Sequence, residues 1–338
     1  KSIELKWPEK KRIKRETNSL SLFIALSFVI AACNSSSTTT YVPESNGKIN
    51  SLTVVMEEQL WEGKLGDQAR SVFMAPYEGL PFDEPKYDAY NIPPKAFSGF
   101  ARNGRNVIIF SKDTIDKINL VKNLWAKPQV VALISGVDQE AMGFYLEENK
   151  ALILRTFAEN ERKEKARRIS KSLNKEKELV NRFGLTLKYP SAYTTVKDTT
   201  NFIWIEKQVF KGHLNLIVYS LPLDIDLKII EKRIPEIRDS IGKIYIPGRL
   251  PKSYMITEKA YRPYYYRTKL NGLETILTKG TWEVENDYMA GPFINYIVKD
   301  TQNKRYIVLE GFAFAPTESK RNYMFELNSI ITTLKPTE

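Results

Sequence analysis

Side chains that could carry chemistry are few in this 338-residue chain: one imidazole, His213, and one thiol, Cys33. A histidine general base needs an orienting carboxylate and a nucleophile within reach. The local sequence Phe210-Lys-Gly-His-Leu offers only a hairpin turn, so the ordinary reading of His213 is a solvated turn or strand residue. A Cys/His metal site would require the two singletons to meet. No metal and no cofactor is expected. Nucleophile-elbow, zinc-protease, phosphate-loop, dinucleotide and EF-hand patterns are missing from the sequence. Carboxylates remain. Glu283 and Glu285 alternate with Trp282 and Val284 on a predicted strand, which puts both on one face. Such a pair can cleave glycosides by acid–base chemistry or hold Ca²⁺. It can equally be the solvent side of a strand with a Trp/Val core side. Asp224 and Asp226 precede a predicted helix, where N-capping is the simpler role.

Aromatic clustering is the more distinctive feature. Tyr261-Arg262-Pro263-Tyr264-Tyr265-Tyr266-Arg267 packs four tyrosines and two arginines into seven residues. Arginine over tyrosine faces can bind sugars, peptides or anions; as plain structure, the run is a two-faced strand with half its rings in the core. A second candidate is the Pro-rich stretch 75–94, with Tyr77, Phe82, Tyr87 and Tyr90 between its prolines. Each proline removes a backbone donor and restricts its predecessor, so a long loop with at most one edge strand, near residues 87–92, is expected. Loops of this length inside compact domains are often functional.

The thiol has its own context. Residues 10–15 place five cations in six positions, an apolar run follows from Leu20 to Ala32, and Cys33 leads into a Ser/Thr tract. The apolar run is shorter than the roughly 20 residues a spanning helix needs and has the layout of an export signal. Ile30-Ala31-Ala32-Cys33 resembles the lipobox of bacterial lipoproteins. That resemblance implies recognition of Ile30, Ala31 and Ala32 by a signal peptidase, cleavage before Cys33, and attachment of acyl chains there. Two or more chains give stable anchoring where one does not. The expected partner is then the membrane, through the lipid. The tether carries no acid before Glu44, which by analogy with surface lipoproteins of Bacteroidota favours an outer-membrane anchor facing the periplasm.

The elements that must position these residues follow from hydrophobic period and turn signals. Strands are expected near residues 51–56, 106–111, 129–135, 185–189, 202–210 and 214–221, with a closing meander over 273–284, 293–299 and 305–314. Helices are expected over 57–73, weakened by Gly63 and Gly66, from Asp138 onward, over 224–241 with a break at Pro235, and over 318–334. The run 159–178 mixes acids and bases at i,i+3 and i,i+4, as a solvated helix does. The predicted fold class is α+β: two domains, each an antiparallel or mixed sheet packed with helices, joined by a charged helix. The predicted bounds are a signal peptide at 1–32, lipidated Cys and tether at 33–48, an N-terminal domain at 49–158, a connector at 159–180 and a C-terminal domain at 181–338.

The lipobox, the stretches 47–70, 76–88 and 97–110, and their order resemble a family of uncharacterised Bacteroidota envelope lipoproteins. The second half is also loosely similar to PsbP-like domains in its pattern of strands, helix, meander and helix. The family resemblance implies an envelope location and brings no activity. Of the net charge of +11, residues 1–32 hold +4, and the rest is spread thinly. No nucleic-acid partner is therefore expected. The reading that follows is a lipid-anchored, non-enzymatic binding or assembly protein with an envelope protein or glycan as partner. The alternative is a carboxylate-dependent envelope hydrolase using Glu283 and Glu285.

Overall fold

The computed structural model describes residues 41–224 and 226–337. The lipobox and Cys33 lie outside the described residues. Two sheets, each with its own helices, build an α+β architecture.

The first sheet is mixed. Its order is β2-β1-β3-β5-β4, with β1 (Ser51–Val55), β2 (Asp88–Ile92), β3 (Asn106–Lys112), β4 (Lys117–Lys122) and β5 (Val130–Gly136). β1 runs parallel to both β2 and β3, β3 runs parallel to β5, and β4 closes the edge antiparallel to β5. β1, β3 and β5 are rich in Val and Ile because they are covered on both faces. Helices α1 (Glu58–Trp61) and α2 (Lys64–Phe73) make the crossover from β1 to β2. The expected single helix over 57–73 is thus two, parted at Gly63. A side chain at Gly66 would run into the Trp61 carbonyl, so the glycine permits the tight join.

From Asp138, whose carboxylate caps the Ala141 N–H, runs α3 (Gln139–Ser170), 32 residues in one piece. Its first half buries Met142, Leu146, Ile153 and Phe157 against the first sheet. Its second half corrects an expectation. The charged run is not wholly solvated, since Asn160, Glu161 and Glu164 are buried. Glu161 accepts hydrogen bonds from Arg105 Nε at 2.8 Å, Asn106 Nδ2 at 2.8 Å and the Asn50 amide at 3.1 Å. Burial pushes its carboxyl above the ordinary value, although Arg105 opposes the shift. A buried carboxylate persists only with such partners, and all three come from distant parts of the chain.

After α4 (Glu178–Phe183), capped by Gly184 in the left-handed region at φ 61°, comes short β6 (Leu185–Thr186). The second sheet is entirely antiparallel, ordered β10-β12-β13-β14-β9-β8-β7 with β11 also paired to β12. Its strands are β7 (Thr194–Thr199), β8 (Phe202–Val209), β9 (Gly212–Pro222), β10 (Met255–Thr257), β11 (Tyr264–Leu270), β12 (Leu273–Val284), β13 (Ala290–Asp300) and β14 (Arg305–Phe314). One face carries α5 (Leu227–Lys232) and α6 (Ile234–Tyr245), parted before Pro235. The other carries α7 (Arg321–Ile331), which buries Met324, Leu327, Ile330 and Ile331. β15 (Lys335–Pro336) pairs β6.

Between α6 and its sheet lies an ion pair with both side chains 1% exposed. Arg238 Nε and Nη2 donate to the two Glu310 oxygens at 2.8 and 2.7 Å. Asn295 Nδ2 also donates to Glu310, at 2.7 Å, and the guanidinium lies 3.4 Å from the Phe293 ring centre.

The halves 42–170 and 171–337 meet through polar contacts around α7. Glu326 accepts from Lys165 of α3 at 2.6 Å, Lys207 of β8 at 2.6 Å and the Tyr193 hydroxyl at 3.0 Å. Glu84, from the Pro-rich loop, caps the start of α7 by accepting the Lys320 and Arg321 amides at 2.7 and 2.8 Å. Arg321 then clamps Asp88 through two bonds, at 3.0 and 2.7 Å.

Candidate functional site

The loop 76–83 folds down onto the hairpin of β11 and β12. Its base is held by Tyr77 N–H to the Glu84 carbonyl and Lys86 N–H to the Ala75 carbonyl, at 2.8 and 2.9 Å. At its tip Gly79 adopts φ 84°, and a Cβ there would stand 2.9 Å from the Lys279 Cβ. Only glycine combines that backbone with so close an approach. Glu78 then accepts the Tyr266 hydroxyl at 2.7 Å and Lys279 Nζ at 3.2 Å. Lys279 Nζ also sits 5.7 and 5.4 Å from the Tyr77 and Tyr266 ring centres.

The two aromatic segments singled out from the sequence thereby converge. Tyr77, Leu80 and Pro81 from the loop face Tyr261, Arg262 and Tyr264 from the hairpin side across a cleft of about 200 Å³. Gly280 forms part of its floor; a side chain there would strike Phe293 and Pro263. The cleft is smaller than the roughly 300–1,000 Å³ of drug-sized pockets. It suits one ring or one side chain.

Strand alternation divides the tyrosine run between two surfaces. Tyr264 and Tyr266 lie on the loop side. Tyr265 and Arg267 lie on the opposite side, with Lys228, Lys232 and Arg262, around a second cleft of about 510 Å³. Arg262 lines both.

Not every expected residue belongs to the site. Tyr87 is a core residue, 4% exposed, set edge-on to Phe157 at 6.3 Å. It precedes β2 and points inward beneath α3. Tyr90 is on β2 and accepts the Thr53 hydroxyl at 2.8 Å, away from the cleft. Phe82 is 72% exposed and does not line the cleft, although Pro81 and Asp83 beside it do.

The site's electrostatics are set by burial and by Glu78. Burial, reinforced by Glu78, raises the Tyr77 phenol to about 12. Burial and the hydrogen bond to Glu78 raise Tyr266 to about 12 as well. For Glu78 itself, burial would raise the carboxyl, but Tyr266 and Lys279 outweigh it and hold it below its ordinary value. Glu78→Gln should therefore lower both tyrosines, while burial still holds them above the ordinary value. A pH titration by NMR with ring-labelled tyrosine, assigned through Tyr266→Phe, reads this directly. Unmoved resonances would refute the role given to Glu78.

The structure puts the two carboxylates at the end of β12 and just past it. Glu285 lies beyond the end of β12, at 4.0 Å from exposed Lys259. Neither it nor Glu283 lines any of the five clefts described among these residues. Asp226 caps α5 through the Lys228 amide at 2.7 Å, the simpler role expected of it.

His213 has company that its local sequence does not reveal. It stands with Glu206, Trp204, Trp282, Phe312 and Phe314 around an aromatic cleft of about 230 Å³. Its Nδ1 is 2.9 Å from Glu206 Oε1 but off the line of a hydrogen bond. The Trp204 indole donates to Asn215 Oδ1 at 2.9 Å, whereas the buried Trp282 indole has no acceptor among the described residues. The signal for this cluster was the register of four strands, β8, β9, β12 and β14, which a linear pattern does not carry. Among the described residues no group of His, Cys, Asp and Glu is placed to hold a metal ion.

Among curated proteins nothing matches the chain significantly. Several solved structures are similar to part of it. The Ran-binding protein Mog1p of Saccharomyces cerevisiae gives a TM-score of 0.32 at 11% identity, covering 46% of this chain and 91% of that one. LpqN of Mycobacterium tuberculosis, described as involved in cell envelope biogenesis, gives 0.30 at 15% identity over 46% and 83%. Human StAR-related lipid transfer protein 5 gives 0.25 at 8% over 50% and 96%. Likeness at this level carries nothing about activity. Residues 45–170 match a family model described as a domain of unknown function, DUF8532, and residues 172–333 match another described in the same words, DUF4837, so the two matches abut where α3 ends.

Proposed function

We propose that this chain is a lipid-anchored protein of the cell envelope, tethered through Cys33, that binds a partner through the cleft between loop 76–83 and the β11–β12 hairpin. The anchor rests on the pattern Ile30-Ala31-Ala32-Cys33 behind a basic and then apolar segment. The acid-free tether favours a periplasm-facing position on the outer membrane. Among the described residues no helix is long and apolar enough to cross a membrane. The observation that carries the binding reading is the convergence of Tyr77 with Tyr261 and Tyr264, more than 180 residues apart in sequence, on one cleft. An envelope protein or glycan chain presenting a ring-sized group fits such a surface, because tyrosine offers apolar area with a polar tip at low entropic cost. The reading is non-catalytic, since no nucleophile with a positioned base lines the cleft.

Two measurements test it. Cys33→Ser should abolish labelling by palmitate and move the protein from the membrane to the soluble fraction. A photo-crosslinker replacing Tyr264 should trap one defined envelope component, and the same probe at Tyr90 should not. Unchanged fractionation of the serine variant would sink the anchor. A dispersed crosslink pattern shared by both positions would sink the cleft.

A further inference from the structure

We infer that the ligand of this surface carries an anionic oxygen group, held by Arg262, the residue that the two clefts share, with Lys232 adding positive field from the far side of β11, while its ring occupies the tyrosine cleft. The inference deepens the binding reading above and rests on it.

Charge placement carries the argument. The second cleft gathers four cations, Lys228, Lys232, Arg262 and Arg267, around Tyr265 against a single carboxylate, Glu231. That carboxylate is already taken. Arg267 Nε and Nη2 both donate to Glu231 Oε2, at 2.9 and 2.6 Å. Lys228, Lys232 and Arg262 are exposed and form no ion pair among the described residues. Lys228 also borders a neighbouring cleft with Asp224 and Asp226, where Glu274 is already paired with Lys299, so its field is partly cancelled by the two aspartates. Arg262 and Lys232 are the uncompensated pair.

Like charges gathered without counterions repel one another, and an anion relieves that repulsion on binding. Arginine is suited to the role because its planar fork meets a phosphate or carboxylate with two parallel bonds. Arg262 is also the residue common to both clefts. A ligand with a ring and an anionic group on adjoining atoms would engage Tyr261 and Tyr264 with the first and Arg262 with the second. The two contacts then act as one binding event, and the second becomes intramolecular.

The test uses the full chain and simple probes: phenyl phosphate, phenol and inorganic phosphate, titrated by calorimetry. Phenyl phosphate should bind at least about tenfold more tightly than either fragment. Arg262→Ala and Lys232→Ala, both at exposed positions, should weaken phenyl phosphate and inorganic phosphate alike. Tyr264→Ala should reduce phenyl phosphate to the level of inorganic phosphate and leave the latter unchanged. A parallel arm uses phosphatidylcholine vesicles with and without phosphatidylglycerol. Vesicle binding that phenyl phosphate displaces and Arg262→Ala abolishes assigns the anion to a lipid headgroup. Phenyl phosphate binding without vesicle binding assigns it to a soluble or glycan-borne group. Equal affinity for the three small probes, or affinity untouched by Arg262→Ala, overturns the inference. Because the crosslink from Tyr264 is measured separately, a trapped partner with no phosphate dependence would leave the binding reading standing and remove only the anion.

Discussion

Arg238→Ala should destabilise the protein by about 3–5 kcal/mol, the typical cost of stranding one member of a buried ion pair. The pair is well suited to such a loss. Arg238 and Glu310 are each 1% exposed and joined by two bonds, and the Asn295 amide also donates to Glu310. Removing the guanidinium leaves a buried carboxylate beneath α6 with one neutral donor, Asn295. It also removes the plane stacked on Phe293. The expectation has a sharper second half. Removing both charges, as Arg238→Met with Glu310→Leu, takes away both desolvation costs and should recover at least half of the loss. Urea denaturation of the two single variants and the double variant measures this. Strict additivity, with the double variant as unstable as the sum of the singles, would show that packing rather than charge pairing governs this region.

Glu326→Gln should cost about 3 kcal/mol at pH 7 by leaving Lys165 and Lys207 without their shared counter-charge. The effect should depend on pH in a defined direction. Burial would raise the Glu326 carboxyl, but Lys165 and Lys207 together hold it below its ordinary value. The folded state therefore binds this proton less readily than the unfolded one. The stability it supplies is present above the unfolded value, about 4.3, and is lost as pH falls through the lower folded value. The parent and the glutamine variant should differ most near neutrality and converge as pH falls through the lowered folded value. Thermal melts across that range check it. A gap that widens on acidification would contradict the assigned shift.

How much of this could be read from sequence depended on whether a residue's partner was near it in the chain. β1, β3, β5 and the β12–β14 meander announce themselves through runs of Val, Ile and Leu, because both faces are covered. β4 and β7 were not expected. Both are edge strands, and their sequences, Lys-Ile-Asn-Leu-Val-Lys and Thr-Thr-Val-Lys-Asp-Thr, carry the charged and polar residues that protect a free edge. The charged half of α3 looked solvated because periodicity reports the opposite signs at i,i+4. It does not report that Arg105, 56 residues upstream, lies above Glu161. The tyrosine run was legible as a candidate divided between two faces, but none of its rings is in the core, since Tyr261, Tyr264 and Tyr266 are exposed and Tyr265 is half-buried. The loop's share was less clear. Tyr77 and Tyr87 look alike in sequence, yet one lines the cleft and the other fills the core. The His213 cluster was invisible, since Glu206, His213, Trp282 and Phe312 come together only through cross-strand register.

Glu84 ties the outer wall of the cleft to the beginning of α7. Glu84 follows directly on the residues that overhang Tyr264 and caps the first amides of that helix, and Gly79 rests on Lys279 and Gly280 beneath. The base of the overhang cannot shift with Glu84 without freeing the Lys320 and Arg321 amides from their acceptor. The slot is therefore built on a pinned base. A guest pays little to organise it, and selects among rings by fit alone.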